Sequence, residues 1–400
     1  MRQDGRLNRL SLGPLVVQEL VAKEDWGDRM NGLEGGGRLP ARVAELRLLE
    51  IARDLPGRKV LAMSQGRGQA AEVLAEERPE SSVVLWYLDA FVAELAKAHC
   101  QATPQLKIEC LDDWPQVDAD LALLPLSQRG ESELSRDLIQ SAYQRLEEGG
   151  WLVVSVDNPE DRWVLEQLRV YDKRVKVRPF DDAMVYLVQK SQPLKRIRDF
   201  QCELAFRDCD QLIRLVTRPG VFSHRELDNG ARQLLDAIDV YPEARLLDIG
   251  CGSGSVALGC AMRDSSATVH AVDSNARAVW CTQQGVKMNQ LENVTVELNG
   301  TGEYGEPSRF DMALANPPYY GDFRIAERFI QAALRSLRPE GRLVLVTKQP
   351  RWYEENLPLW LDDVEVFASR RYHIASGLRP TESRGGPLDN PPNLPSAPES

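Results

Sequence analysis

Short apolar runs and amphipathic segments alternate along most of this chain. An amphipathic segment at 41–55 is followed by the apolar run KVLAM at 59–63, and strand-like and helix-like patterns then alternate through most of the remaining sequence. Strands that alternate with amphipathic helices are typical of a mostly parallel sheet covered by helices. The pattern therefore predicts an α/β fold.

Parts of the first half of the chain recur in the second half. Three pairs of segments match in the same order and at nearly the same offset: 59–68 with 245–254, 120–126 with 311–317, and 146–156 with 337–347. Matches that keep their order and spacing indicate duplication of one structural unit. We therefore predict two tandem α/β domains.

The two copies differ in their polar residues. Residues of the second copy are replaced in the first by residues without the same chemistry: Asp248 by Ala62, Gly250 by Ser64, and Asn316 by Pro125. A fold can persist without its site, because packing and chemistry depend on different residues. We expect the N-terminal copy to be degenerate and the C-terminal copy to carry the functional site.

Composition along the chain predicts where these domains begin and end. Residues 1–40 are polar and aperiodic, and the tail at 377–400 is rich in proline, glycine and serine. We expect the first to be poorly structured and the second to be disordered. Between them we predict a degenerate domain at 41–190, a linker with a β-hairpin at 191–218, and a catalytic domain at 219–376.

The overall composition narrows the class of protein. The 400 residues are 43% hydrophobic and 27% charged, as in ordinary globular proteins, and the length favours two domains. No run approaches the ~18 apolar residues of a membrane-spanning helix, and no secretory signal is recognisable. The seven cysteines and four histidines are scattered without a C-x-x-C pair. We expect a cytoplasmic protein without a metal site or membrane contact.

The charge balance bears on nucleic-acid partners. A net charge of −11 and a pI near 5.1 disfavour an indiscriminate nucleic-acid binder. Local recognition stays open, because four cations lie close together between the two halves: Lys190, Lys195, Arg196 and Arg198. They form either an RNA-binding cluster or a solvated linker.

A glycine-rich turn follows the first strand of the second copy. Its glycines allow a sharp turn and would bring backbone N–H groups and a helix N-terminus against a ligand. A dinucleotide fold has a third glycine where this chain has Ser255. The G-x-G-x-G form resembles motif I of Rossmann-like methyltransferases instead. That resemblance implies an S-adenosylmethionine site that includes Asp248, Gly250, Cys251, Gly252 and Gly254.

The next two strands end in polar residues that suit the same cofactor. Asp273 ends the second strand, where a carboxylate can accept hydrogen bonds from both ribose hydroxyls. Because Asn275 follows, Asp273 also fits a helix-cap region. Asn299 ends the third strand, and its side chain could reach the edge of the adenine.

The fourth strand runs directly into Asn316-Pro317-Pro318-Tyr319. Proline favours an extended residue before it, which would hold Asn316 at the carboxyl end of the strand. The Asn316 side-chain oxygen and the Pro317 carbonyl could accept the two N–H bonds of a planar amino group and so orient its lone pair. Tyr319 offers a ring for stacking on the acceptor. The alternative is a simple turn.

These motifs resemble a known family. The second half, roughly 201–376, is similar to the guanine-N2 methyltransferases of ribosomal RNA, whose members include methyltransferase C for the small ribosomal subunit and methyltransferase G for the large one. The resemblance implies two tandem Rossmann-like methyltransferase domains, the N-terminal one degenerate, with S-adenosylmethionine as cofactor and ribosomal RNA or a ribosomal subunit as partner. It also implies that Phe222 and Ser223 cover the cofactor or substrate, unless they form a packed loop before a helix.

One departure leaves the acceptor open. Family members usually carry N-P-P-F followed by histidine, whereas this chain has Tyr319 and Tyr320. Tyrosine there also fits adenine-N6 methyltransferases and protein glutamine methyltransferases. The glutamine enzymes, however, carry a small helical domain at the N-terminus, where this chain has a degenerate copy of the catalytic domain. A non-catalytic RNA-binding assembly factor is a further alternative, which the intact polar residues of the second copy disfavour. The oligomeric state is not predicted.

Overall fold

The computed structural model describes residues 42–100, 103–304, 308–318 and 323–381. Its contacts divide the chain into two compact units: the first extends to Arg198, apart from Leu88–Phe91, and the second begins at Asp199. The segment 1–40 and the tail beyond 381 lie outside the described residues. The boundaries drawn from the sequence remain predictions.

The first unit is built on a seven-stranded sheet. The strands are β1 (Lys59–Met63), β2 (Ser82–Tyr87), β3 (Leu106–Cys110), β4 (Ala119–Leu126), β5 (Leu146–Val156), β6 (Lys176–Pro179) and β7 (Met184–Gln189), and the helices of this half are α1 (Val43–Ala52), α2 (Gln69–Glu77), α3 (Ala90–His99), α4 (Ser132–Arg145) and α5 (Trp163–Leu168). The strand order is β3-β2-β1-β4-β5-β7-β6. The helix predicted at 41–55 is confirmed as α1.

The second unit begins with the hairpin strands β8 (Cys202–Asp208) and β9 (Gln211–Thr217). Its main elements are then α6 (Asn229–Asp236), β10 (Arg245–Ile249), α7 (Ser255–Arg263), β11 (Thr268–Asp273), α8 (Ala276–Met288), β12 (Val294–Leu298), β13 (Phe310–Ala315), α9 (Arg324–Ser336), β14 (Leu337–Thr347), α10 (Pro350–Asn356), β15 (Asp362–Ser369) and β16 (Tyr372–Leu378), with a short 3-10 turn at Leu357–Leu359. The second sheet has the order β12-β11-β10-β13-β14-β16-β15.

The two sheets share one topology. In each, five parallel strands are followed by an antiparallel pair, and the last strand in sequence lies between the fifth and the sixth. Both helices that follow the first strand begin after a left-handed glycine, Gly68 with φ 81° and Gly254 with φ 85°. The predicted α/β fold with two tandem Rossmann-like domains is thereby confirmed.

The second sheet is buried on both faces. Along β10, Leu246 belongs to the core beneath α6 and α7, while Leu247 belongs to the core beneath α9. Because successive side chains of a strand point to opposite faces, a strand covered on both faces must be apolar throughout. This explains the apolar run at 312–315, all buried, that precedes Asn316 on β13.

The predicted hairpin forms and packs within the second unit. Cys209 and Asp210 both have positive φ, at 44° and 64°, as the tight turn of a twisted hairpin requires. The buried Asp208 carboxylate accepts two hydrogen bonds from Arg263, at 2.7 and 3.0 Å. Arg263 also donates to two carbonyl groups at the end of α6. This network attaches the hairpin to the domain that carries the site.

Candidate active site

The site lies where the strand order reverses. The chain proceeds from β10 through β11 to β12 on one side, then returns to place β13 on the other side of β10. The carboxyl ends of β10, β11 and β13 therefore meet at one edge of the sheet, which is where ligands bind in open α/β folds. The glycine loop follows β10, Asp273 is the last residue of β11, and Asn316 directly follows β13.

Each glycine of the loop has a left-handed conformation, with φ of 73° at Gly250, 58° at Gly252 and 85° at Gly254. A Cβ atom on Gly250 would lie 2.9 Å from the Phe329 ring, and one on Gly254 would lie 2.9 Å from the Thr282 side chain. A Cβ on Gly252 would meet no atom of the described residues within 4 Å. Packing therefore requires two of the glycines, while Gly252 faces open space that a ligand can fill.

The loop N–H groups do not all face a ligand, contrary to the expectation from the sequence. Four of them donate within the protein: Gly250 and Cys251 to the Val272 carbonyl, Gly252 to the Asp273 carboxylate, and Gly254 to the Cys251 carbonyl, at 2.8–3.0 Å. S-adenosylmethionine has no phosphate that would need these donors. The loop thus shapes the site through its conformation.

Asp248 supports the loop from behind. Its side chain is 3% exposed, and its Oδ2 accepts a hydrogen bond of 3.0 Å from the Ala257 N–H in the first turn of α7. Burial raises the pKa of this carboxyl to about 7. A direct contact between Asp248 and a cofactor stays a prediction.

Cys251 also turns toward the protein. Its Sγ lies 3.4 Å from the Thr282 hydroxyl, and burial raises the pKa of the thiol well above its usual range. Thr282 donates in addition to the Gly252 carbonyl at 3.1 Å. Thr282 is therefore a loop-supporting residue that nothing in the sequence singled out, since it lies inside an ordinary helix.

Asp273 lies beside the open side of the loop. Its two oxygens accept the Gly252 N–H at 2.9 Å and the Asn275 N–H at 2.8 Å, and burial raises its pKa to about 6. Each carboxylate oxygen can accept a further hydrogen bond, so the ribose role stays a prediction that this geometry permits. The helix cap is Asn275, whose side chain accepts from Arg277 at the start of α8.

Asn299 is engaged in the turn after β12. Its side-chain nitrogen donates to Glu297 at 2.7 Å and to the Glu303 carbonyl at 2.8 Å, while its oxygen accepts the Thr301 N–H and hydroxyl, both at 2.9 Å. These bonds close an Asx-type turn. This geometry does not support the assignment of its side chain to the adenine edge, because both N–H groups are already bonded.

Asn316 is half-buried immediately after β13, with Pro317 buried and Pro318 half-buried. Its side-chain nitrogen donates to the carboxylate of Asp228. Asp228 in turn caps α6 by accepting from the Gly230 and Ala231 N–H groups, at 3.1 and 2.9 Å. Tyr319, and Tyr320 after it, lie outside the described residues.

The loop before α6 runs between the cofactor side and Asn316. The Pro219 carbonyl accepts from the fully buried Arg277 at 2.8 Å, and the Gly220 carbonyl accepts from Asn275 at 2.8 Å. Val221 is buried, whereas Phe222 is 56% exposed. The packed-loop interpretation therefore fits the first part of the loop, while Phe222 is presented to solvent.

The first unit has a different arrangement at the equivalent edge. By strand register, Ala62 replaces Asp248, and Tyr87 stands at the end of β2 where β11 has Asp273. Tyr87 is 1% exposed, and a Cβ on Gly68 would lie 2.6 Å from its hydroxyl. Ser64, the counterpart of Gly250, donates to the buried Glu45 carboxylate. At Gly66, the counterpart of Gly252, a Cβ would lie 3.2 Å from the Arg42 side chain, so protein atoms occupy the space that is open at Gly252 in the second unit.

We therefore expect the full chain to bind one molecule of S-adenosylmethionine, and none in the first unit. Isothermal calorimetry should give a stoichiometry of one for the wild type. Asp273→Ala should remove or weaken that single site and leave no second, saturable signal. A stoichiometry of two, or tight binding that persists in the variant, would contradict the assignment.

Among the residues that the structure describes, no group of three or more His, Cys, Asp or Glu side chains could hold a metal ion. Within the same part of the chain, none of the helices combines the length and apolar character of a membrane span.

Comparison with known proteins agrees with this geometry. Residues 212–376 match the family described as Methyltransferase small domain. The ribosomal RNA small subunit methyltransferase C of Pseudoalteromonas atlantica is 32% identical over 40% of this chain, and the match spans about half, 47%, of that relative. The enzyme of the same name from Pseudoalteromonas translucida is 25% identical over 83% of this chain and 97% of its own length.

A solved structure shares the two-domain fold. The 16S rRNA N2 G1207 methyltransferase of T. thermophilus, in complex with AdoMet and guanosine, has a TM-score of 0.71 and 21% identity, covering 84% of this chain and 92% of that one. Residues 212–376 thus match a methyltransferase domain family, and the chain is similar to ribosomal RNA small subunit methyltransferases C and shares the duplicated fold of the T. thermophilus enzyme.

Proposed function

We propose that this chain transfers a methyl group from S-adenosylmethionine to the exocyclic N2 of a guanine in ribosomal RNA. The observation that carries the proposal is the position of Asn316, held at the end of β13 beside Pro317 and across the sheet edge from Asp273. The names of the relatives, and the guanosine bound to the T. thermophilus enzyme, support this acceptor.

The site must make a weak nucleophile react. The lone pair of an exocyclic amine is delocalised into the base, and two acceptors placed against its N–H bonds turn that lone pair toward the methyl group. We assign these acceptors to the Asn316 side-chain oxygen and the Pro317 carbonyl, which also stabilise the positive charge that develops on nitrogen. S-adenosylmethionine, when bound, supplies an activated methyl group. The nitrogen then loses a proton to water, so the step requires no protein base.

The residues of the second unit fit this cofactor. Gly252 leaves an open surface, and Asp273 places a carboxylate next to it. We assign the ribose hydroxyls to Asp273 and the loop surface to the remainder of the cofactor, with Asp248, Cys251 and Thr282 holding the loop in shape.

A guanine can reach Asn316 only if it leaves its stack. Unstacking and unpairing cost a few kcal/mol, which favours a guanine in a loop or junction. Phe222, exposed on the anchored loop before α6, offers a ring on which an extruded base can stack. Ribosomal RNA as the substrate also implies that the enzyme works in the cytoplasm.

The acceptor is tested with radiolabelled cofactor. The purified chain is incubated with ribosomal small subunits, with naked ribosomal RNA, and with a glutamine peptide from a release factor. Label in RNA that digests to N2-methylguanosine supports the proposal. Label confined to the peptide would replace it with glutamine methylation, for which the same two acceptors serve, and label in N6-methyladenosine would replace it with adenine methylation.

Of the four cations that the sequence analysis considered as an RNA-binding cluster, two have partners within the protein. Lys190 donates to the carbonyls of Gln144 and Leu146 at the end of α4, at 3.0 and 2.5 Å, so it stabilises a helix terminus. Arg198 has an ion-pair partner in Glu133 at 3.3 Å. Lys195 and Arg196 lie exposed in the irregular segment between them.

We expect Lys195→Glu/Arg196→Glu to weaken RNA binding and to reduce the slope of log affinity against log salt by about 2, because each phosphate contact contributes about one. Affinity for S-adenosylmethionine should not change. The matched control is Arg169→Glu/Lys173→Glu, an equal charge reversal at two exposed positions of the first unit. Equal salt slopes in the two double variants would refute an RNA-binding role for the linker.

A further inference from the structure

We propose that Asp228 is a positioning residue that sets the direction of the Asn316 amide, so that its oxygen rather than its nitrogen faces the acceptor. The inference rests on the proposed function, in which that oxygen accepts an N–H bond of the substrate. The two residues are 88 positions apart in sequence, and the side-chain nitrogen of Asn316 donates to Oδ2 of Asp228.

A carboxylate can impose this direction because it only accepts hydrogen bonds. A side-chain amide carries two donors on its nitrogen and an acceptor on its oxygen, and the NH2 group and the oxygen have almost the same shape. With the nitrogen turned to Asp228, the oxygen must point away from Asp228, toward the acceptor. An asparagine at position 228, which has the same length and could also donate, would lose this selectivity.

Asp228 is itself held firmly. It is the N-cap of α6, with Oδ1 accepting from Gly230 at 3.1 Å and Oδ2 from Ala231 at 2.9 Å. The positive end of the helix dipole favours a carboxylate there. Leu234 and Leu235 fix α6 in the core of the second unit, at 0% and 1% exposure. Packing of α6 therefore fixes the position of the Asp228 carboxylate against the side-chain amide of Asn316.

An inverted amide would oppose the reaction. Both hydrogens of the substrate amino group are donors, so an Asn316 that presented its own N–H groups would place donors against donors. The lone pair of the substrate would no longer be directed at the methyl group, and the developing positive charge would meet the positive end of an amide dipole. Methyl transfer thus requires the correct orientation of the Asn316 amide as well as its presence.

Two substitutions at Asp228 separate the cap from the positioning role. Ser and Asn are both good N-caps, so both should preserve α6. Asp228→Ser removes the partner of Asn316 and should lower the single-turnover rate by about tenfold, whereas Asp228→Asn can donate to the Asn316 oxygen and should lower it by about a hundredfold. The Kd for S-adenosylmethionine should change by less than about twofold in either variant, because neither contacts the cofactor.

Ala231→Gly is the matched control, since it weakens the first turn of the same helix while leaving Asp228 in place. It should lower Tm without lowering the rate at a temperature where the protein is folded. Rates that follow Tm across all three variants would show that Asp228 has only a structural role, and a wild-type rate in Asp228→Asn would overturn the proposal outright.

Rates are compared on whichever acceptor the wild type labels, ribosomal RNA or the glutamine peptide, so an incorrect substrate assignment leaves the test of Asp228 intact. Nitrogen-15 NMR adds a readout without turnover. The Asn316 side-chain signals, identified by their loss in Asn316→Ala, should shift in Asp228→Ser and stay unchanged in Ala231→Gly. Unshifted signals in Asp228→Ser would refute the hydrogen bond itself.

Discussion

Replacing Asn316 with Ala is expected to lower the rate of methyl transfer by about a hundred- to a thousandfold, or below detection, while leaving the affinity for S-adenosylmethionine nearly unchanged. The side chain follows β13 and is held by Asp228, so its bonds go to the acceptor and to the protein. Its removal costs an interaction that is strongest in the transition state, which lowers kcat and kcat/KM together.

The measurement is single-turnover labelling of the identified acceptor, with calorimetry for cofactor binding. Asn158→Ala in the first unit is a suitable control, because it removes an asparagine side chain whose hydrogen bond, accepted from the Glu160 N–H at 3.0 Å, lies outside the candidate site. Readily measurable turnover in Asn316→Ala would exclude the assigned role. A joint loss of cofactor affinity and folding would instead make Asn316 a structural residue.

Asp273→Ala is expected to weaken S-adenosylmethionine binding by at least about a hundredfold, because each of two hydrogen bonds to a charged group contributes about 1.5–3 kcal/mol. Two ribose hydroxyls would lose their acceptor, and the Gly252 N–H would lose the 2.9 Å bond that holds the loop. Calorimetric titration at constant salt measures the change. An unaltered Kd would place the ribose contact on another residue.

The same carboxylate predicts a pH dependence. Burial raises the pKa of Asp273 to about 6, and only its ionised form accepts from both hydroxyls. Ionisation is lost as the pH falls, so affinity should decline on acidification through pH 6, by about fourfold between about pH 7.5 and about pH 5.5. Asp273→Asn should remove that slope. Asp248, with a pKa of about 7, titrates nearby, so Asp248→Asn is compared in parallel.

The local pattern of the sequence was sufficient for the fold. Strands buried on both faces must be apolar, and the apolar residues of an amphipathic helix must recur with the helical period. The spacing of apolar residues therefore predicts the order of strands and helices. The repeated segments then predicted two copies of one topology, and β1 to β7 and β10 to β16 confirm it. The proline pair after Asn316 likewise placed that residue at a strand end by backbone stereochemistry alone.

Roles that depend on side chains meeting across the fold were decided only by the tertiary structure. Lys190 was a candidate RNA contact and donates to carbonyls at the end of α4, 46 and 44 positions away in sequence. Composition cannot distinguish a solvated cation from a helix cap, because the partners are backbone groups distant in sequence.

The sequence by itself thus determined the fold class, the duplication, the degenerate copy and the two strand ends that carry Asp273 and Asn316. Only the tertiary structure showed that a buried Tyr87 stands in the first unit where the second has Asp273, and that Asp228 holds Asn316. Periodicity records which face of an element is buried. Periodicity does not record which side chain of another element a buried residue contacts. Those contacts depend on how the strands and helices pack in three dimensions.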